Sequence, residues 1–163
     1  MEEYPGGAFD AIHMALVLEH VREPHDFLTR ALSLLKPGGA MWVEVPNDFN
    51  RFQDVIVTAL DKPRWWIVPE HHLNYFNFDS LSTLLKRCGA EEVSRSASFP
   101  MEIFVLMGMD YIGNDEIGSK AHAHRMAFEK KMLAHDSDTL AHFYGALARA
   151  GLGRTCNILA VKR

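Results

Sequence analysis

Cysteine is scarce in this chain of 163 residues: Cys88 and Cys156 are the only two. They lie far apart and neither has a Cys-x-x-Cys neighbour, which fits a reducing compartment. Clustered positive charge is missing too. The net charge is -4, the pI is near 6.1, and no basic run exceeds Lys130-Lys131. A nucleic acid gripped by its phosphates needs a basic face, so that partner class is excluded. The opening residues, Met1 to Gly7, carry neither the basic nor the apolar region of a signal peptide. The greasiest stretch, Phe99 to Met109, contains Glu102 and is too short to span a bilayer. No membrane partner and a cytoplasmic location are expected. Repeats, low-complexity tracts and flexible linkers are also lacking.

What is present suits one soluble domain over residues 1–163. Hydrophobic residues make up 48% and charged residues 23% of the chain, enough apolar surface for a core. The run from Phe9 to Leu16 is short and nearly continuous, the mark of a strand buried on both faces. Pro24 opens a helix to about Leu35, with Phe27, Leu28, Ala31, Leu34 and Leu35 as its apolar stripe. Lys36-Pro37-Gly38-Gly39 reads as a tight turn back into the sheet. Ala40 to Val45 is the next strand, closed by Pro46-Asn47.

Further helices are expected over about 49–60, after an Asp79 cap, over 115–134 and over 137–150. Strands are expected over about 92–98 and 155–161. Residues 61–72 read as irregular, and 100–112 have no clean periodicity. Strand and helix alternate as in a parallel α/β sheet. Such sheets bind ligands beyond the C-terminal ends of their strands, here just after Leu16 and Val45.

The segments Val17-Leu18-Glu19-His20-Val21, Leu34-Leu35-Lys36-Pro37-Gly38-Gly39 and Val43-Glu44-Val45-Pro46-Asn47, in this order and spacing, resemble class I S-adenosylmethionine-dependent methyltransferases from their fourth strand to their fifth. His72-Leu73-Asn74-Tyr75-Phe76 and Leu84 to Ala90 are similar to the steps that lead into their sixth strand. The likeness covers roughly residues 8–98; the rest matches by architecture. It implies an α/β, partial Rossmann-like methyltransferase sheet with flanking helices, S-adenosylmethionine as cofactor and a small-molecule methyl acceptor. It places His13, Met14, Ala15, Leu16, Glu19 and His20 against the cofactor, and Pro46 and Asn47 toward the reacting methyl group.

The glycine-rich loop after the family's first strand is absent, and so is the acidic residue after its second. Gly6 and Gly7 precede a strand and cannot be that loop. The expectation is therefore an N-terminally truncated domain with weak cofactor affinity, and a homodimer that covers the cut sheet edge. Two rivals stand beside it: a non-catalytic remnant serving as an interaction module, and a Rossmann-like enzyme that uses NAD.

Each candidate residue has a bland reading as well. Glu19-His20 is either pocket floor or a pair that starts a turn. His13 within a strand reads as a packed histidine. Histidine suits a general base near neutral pH, so His71 and His72 are the catalytic candidates; His72 is equally an anchor for its loop. Adjacent histidines in extended chain diverge, so a metal shared by this pair is not expected. Trp65, Trp66 and Tyr75 either line the acceptor pocket or cover the sheet. His122 and His124 read as solvated, and Cys88 as a small core residue.

Overall fold

A computed structural model describes residues 4–163; the first residues of the segment read against a signal peptide lie outside that range. Four strands form one sheet in the order β1-β2-β4-β3: β1 is Phe9–Ala15, β2 Leu35–Pro46, β3 Ala90–Ala97 and β4 Thr155–Lys162. β1 and β2 run parallel, with Ile12 opposite Met41 and Met14 opposite Val43. Parallel neighbours need a crossover, and α1, Pro24–Leu34, supplies it. Leu28 and Leu32 of α1 are buried against the sheet, together with Leu35, Met41, Val43, Val45 and Ile158. Each such side chain contributes roughly 1.5–3 kcal/mol of hydrophobic stabilisation.

The sheet is mixed where a parallel one was expected. β4 runs antiparallel to both β2 and β3. The cause lies in the turn before it. α6, Ser137–Arg149, delivers the chain through Gly151 and Gly153 to the finishing end of β2, where Asn47 N–H donates to the Arg154 carbonyl at 2.9 Å. β4 starts where β2 stops and must run back. Gly153 holds φ +111, and a Cβ there would lie 2.5 Å from that of Ala97, so only glycine fits this crossing.

The Lys-Pro-Gly-Gly segment also departs from expectation. It is the beginning of β2 rather than a turn ahead of it, and the register with β1 shifts between Phe9 and Ala11. A Cβ on Gly39 would stand 3.1 Å from the Asp10 carbonyl. Its glycine lets two backbones approach closely.

α2 is Arg51–Ala59 and α3 is Phe78–Arg87. Asn77, rather than Asp79, caps α3: its side chain accepts from Ser80 N–H while the Ser80 hydroxyl accepts from Asn77 N–H. Asp79 sits in the first turn, where the helix dipole favours an acid. The stretch without periodicity contains α4, Glu102–Leu106, and α5 follows over Asp115–His135. Cys88 packs half-buried against the core. β1 forms one outer edge of the sheet; along it Asp10, Ala11, His13 and Ala15 are exposed, and Phe9 and Ile12 half-buried. No helix among the described residues is long and apolar enough to cross a membrane.

Candidate functional site

Two residues in left-handed conformation mark the C-terminal ends of the parallel strands. Leu16 follows β1 with φ +53, and Phe49 follows β2 with φ +56. A bulky side chain in that region is strained, a feature that collects at functional sites. After Leu16 the chain makes one 3-10 turn, Leu18–His20.

The segment after His71 clamps this turn. The Glu19 carbonyl accepts from Leu73 N–H at 2.7 Å and Asn74 N–H at 3.0 Å. The Asn74 amide donates to the carbonyls of Leu18 and Val21 at 3.2 and 2.6 Å. His20 Nδ1 donates to the His71 carbonyl at 2.5 Å, a tautomer inferred from the partner. Two segments some fifty positions apart are thereby held as one wall.

That wall bounds a cleft of about 430 Å³. Leu16, Glu19 and His20 line it from the β1 side, Pro46 and Asp48 from β2, and Trp65, Trp66 and His72 from the irregular segment. Gln53, Val68, Glu102, Arg154 and Thr155 complete it. Five buried side-chain polar atoms among the described residues have no hydrogen-bond partner. Four belong to this lining: Glu19 Oε2, Trp66 Nε1, His72 Nδ1 and Glu102 Oε2. Buried polar groups are almost always paired, so four unpaired ones in the lining of a single cleft single it out. The fifth, the Tyr111 hydroxyl, lines an adjoining cleft of about 440 Å³ that shares Leu16, Arg154 and Thr155 with the first.

The cleft is acidic, and two of its carboxyls are held in their protonated direction by burial. Burial lifts the Asp48 carboxyl to about 7, helped by the nearby Glu19 and opposed by a hydrogen bond from Phe76 N–H. Burial also raises Glu102, against the opposing pull of Arg154. Glu19, His20 and His72 each bring a ligand atom within 4.8 Å of the others, a geometry able to hold a divalent cation. His71 is not part of that trio.

The structure thus brings together Leu16, Glu19, His20, Pro46, Trp65, Trp66 and His72 and leaves the other expected residues outside the cleft. Met14 is in the core, while His13 and Ala15 point away on the exposed edge. Asn47 is buried and turned from the cleft: its amide donates to the carbonyls of Gly151 and Gly153 at 3.0 Å each. Strand alternation explains this, because Pro46 and Asn47 leave β2 on opposite sides. The His71 ring is exposed, and its carbonyl rather than its imidazole is engaged. The Tyr75 hydroxyl accepts from Val68 N–H at 3.0 Å, and its ring packs edge-on against Phe49. His122 and His124 are exposed, although His122 lines the adjoining cleft.

Sequence reasoning missed Asp48, Gln53, Glu102, Arg154 and Thr155. The one available signal was Asp48, directly after the strand end where ligands bind. Glu102 and Arg154 come from distant segments that only the tertiary fold brings in.

A two-strand parallel start, a clamped acidic turn beyond it and a cleft at the strand ends are features of a Rossmann-like α/β domain. Residues 1–95 match the model of the family described as "Methyltransferase domain", and the chain belongs to that family. A "Ubiquinone biosynthesis O-methyltransferase" from Cereibacter sphaeroides is 32% identical over 95 residues, 55% of this chain and 37% of that protein. The protein of the same name from Dinoroseobacter shibae is 35% identical over 92 residues, with the same shares. The chain spans little more than a third of the length of these curated relatives. Among solved structures, a SAM-dependent methyltransferase from Archaeoglobus fulgidus superposes with TM-score 0.54 at 15% identity, over 97% of this chain and 61% of that one. The cyclase SpnF gives 0.52 at 18% identity, over 99% and 52%. The second shows that this fold alone does not fix the reaction.

Proposed function

We propose that the chain forms the acceptor side of an S-adenosylmethionine-dependent O-methyltransferase that acts on a small hydroxylated molecule. The observation that carries this reading is the set of unpartnered buried polar atoms on one cleft at the C-terminal ends of β1 and β2. The names of the relatives favour oxygen as the methyl-accepting atom.

The residues present suit the sulfonium end of the cofactor, because Glu19 offers a buried, unpartnered carboxylate oxygen beside the strand end. No glycine-rich loop occurs in the 163 residues to hold the adenosine end. When bound, the cofactor supplies an electrophilic methyl group. The protein's own part is orientation and proton removal. The cleft would hold and orient the acceptor hydroxyl at the strand ends, toward the methyl group that the cofactor would supply. His72 Nδ1, buried and free, takes the proton of the hydroxyl. Trp65 and Trp66, packed edge-on against each other, give the cleft an apolar wall.

The test is an NMR titration of the labelled 163-residue chain with S-adenosylhomocysteine, with NAD as control. Expected are shifts at Leu16, Glu19, His20 and His72, with weak affinity and no response to NAD. No shift at millimolar S-adenosylhomocysteine overturns the function. Micromolar affinity overturns only the incomplete pocket. A homodimer paired through the β1 edge belongs to the same reading, and a monomer in analytical ultracentrifugation at every concentration removes it.

A further inference from the structure

We propose that Arg154 selects a methyl acceptor bearing a carboxylate, which it binds where the two clefts meet; the inference deepens the function proposed above and rests on it. Arg154 sits in the turn into β4, and both of its backbone groups are tied. Its N–H donates to the Ser98 carbonyl at 3.3 Å, and its carbonyl accepts from Asn47 N–H at 2.9 Å. The residue lines both clefts and is exposed. It takes part in none of the ion pairs among the described residues. The other arginine of the adjoining cleft, Arg125, is taken up by Glu129 at 2.8 and 3.0 Å.

The groups around Arg154 leave its charge uncompensated. Burial raises Glu102 toward its neutral form, which offers little counter-charge. Burial, with Glu102 next, pushes the Tyr111 hydroxyl up to about 12 against the pull of Arg154, so it stays neutral. His122 Nδ1 accepts from Arg125 at 3.3 Å, a tautomer inferred from the donor. Glu44 lines the adjoining cleft and makes none of the ion pairs. A guanidinium presents parallel N–H groups that match the two oxygens of a carboxylate. A phosphate dianion would bring more charge than one arginine balances, and it would meet Glu44. An ammonium would be repelled. Arg154 and His72 line the same cleft of about 430 Å³, so the carboxylate and the reacting hydroxyl of one small molecule each have a partner within it.

The experiment compares three ring-matched probes on the full chain by NMR titration: 3-hydroxybenzoate, 3-hydroxybenzyl alcohol and 3-hydroxybenzylamine. EDTA is present, to remove any cation held by Glu19, His20 and His72. The benzoate is expected to bind about tenfold tighter than the alcohol, and the amine more weakly than either. The Arg154 Nε–H signal should move with the benzoate and stay in place with the alcohol. Arg154→Met should bring the benzoate within about twofold of the alcohol, and Arg154→Gln gives the same comparison if the first variant does not fold. The alcohol or the amine binding as tightly as the benzoate overturns the proposal, and so does a benzoate that fails to bind. A preference that survives in either variant, or a benzoate that leaves the Arg154 signal still, also overturns it. S-adenosylhomocysteine shifts at Leu16 to His20 should persist in both variants. Their absence in wild type would instead overturn the function reading, whatever the probes do.

Discussion

Asn47 offers a sharp separation of structural from ligand-facing roles. The residue is 1% exposed. Its Nδ2 donates to two carbonyls, Gly151 and Gly153, at 3.0 Å each, and its Oδ1 accepts a weak bond from Cys156 Sγ at 3.3 Å. Asn47→Ala strands the buried Gly153 carbonyl and removes the bond to the part-buried Gly151 carbonyl. A buried polar group left without its partner costs about 1–3 kcal/mol, so the pair should lose about 3 kcal/mol together. For a domain of this size each kcal/mol lowers Tm by about 2–4 °C, which gives a fall of about 6–12 °C. Asn47→Asp should fall similarly, because a carboxylate has no proton to donate. Far-UV circular dichroism melts measure the loss. Well below the transition, the tryptophan fluorescence, from Trp42, Trp65 and Trp66, and the S-adenosylhomocysteine response should both be unchanged. A Tm lowered by less than about 2 °C, with the ligand response abolished, would refute the structural assignment and put Asn47 in the binding site.

Two further outcomes are expected. Asp48 binds its proton more tightly when folded, at about 7 against 3.8 unfolded. The stability it confers is therefore complete below pH 3.8 and is lost as pH rises through about 7; Glu102, raised by burial, acts in the same direction. Wild type should lose Tm relative to Asp48→Asn between pH 5 and 8, and parallel pH profiles in differential scanning calorimetry would contradict this. Gly151→Ala meets open space at φ +70 and should cost about 1–2 kcal/mol. Gly153→Ala adds an overlap with Ala97 and the Ser98 carbonyl and should cost about 3 kcal/mol or more. Equal urea midpoints for the two variants would show that the crossing is looser than the backbone implies.

Much of this organisation was legible in the chain because local signals agreed with the fold. The apolar run before Leu16, the proline opening α1 and the Leu81, Leu84 and Leu85 stripe of α3 each specify an element and its buried face. The direction of β4 was not legible. Its residues read as strand either way, and only the docking of α6 and the glycine turn set the polarity. The cap of α3 was misplaced because Asp79 and Asn77 are both good cap residues, and the reciprocal bond with Ser80 decides between them. On the candidate site, the turn at Glu19-His20 and the segment at His72 were visible as short motifs. Asn74, which ties them together, lies within one of these motifs but carries no sign of its role. Glu102 sat in a stretch without periodicity, and its burial depends on packing against residues far away in sequence.

The central position of β4 bears on how this chain acquires its structure. β1 and β2 touch β3 only through β4, so until that strand arrives the sheet is two unconnected pieces. The contact that locks it, Asn47 to Gly153, closes a loop of 106 positions. Such non-local pairing raises contact order and slows folding, because the chain must bear the entropy of closure before any ladder bond forms. Meanwhile the flank of β2 that β4 will occupy stands open to pairing with other chains. The strand that completes the sheet therefore also covers an edge that would otherwise be open to other chains.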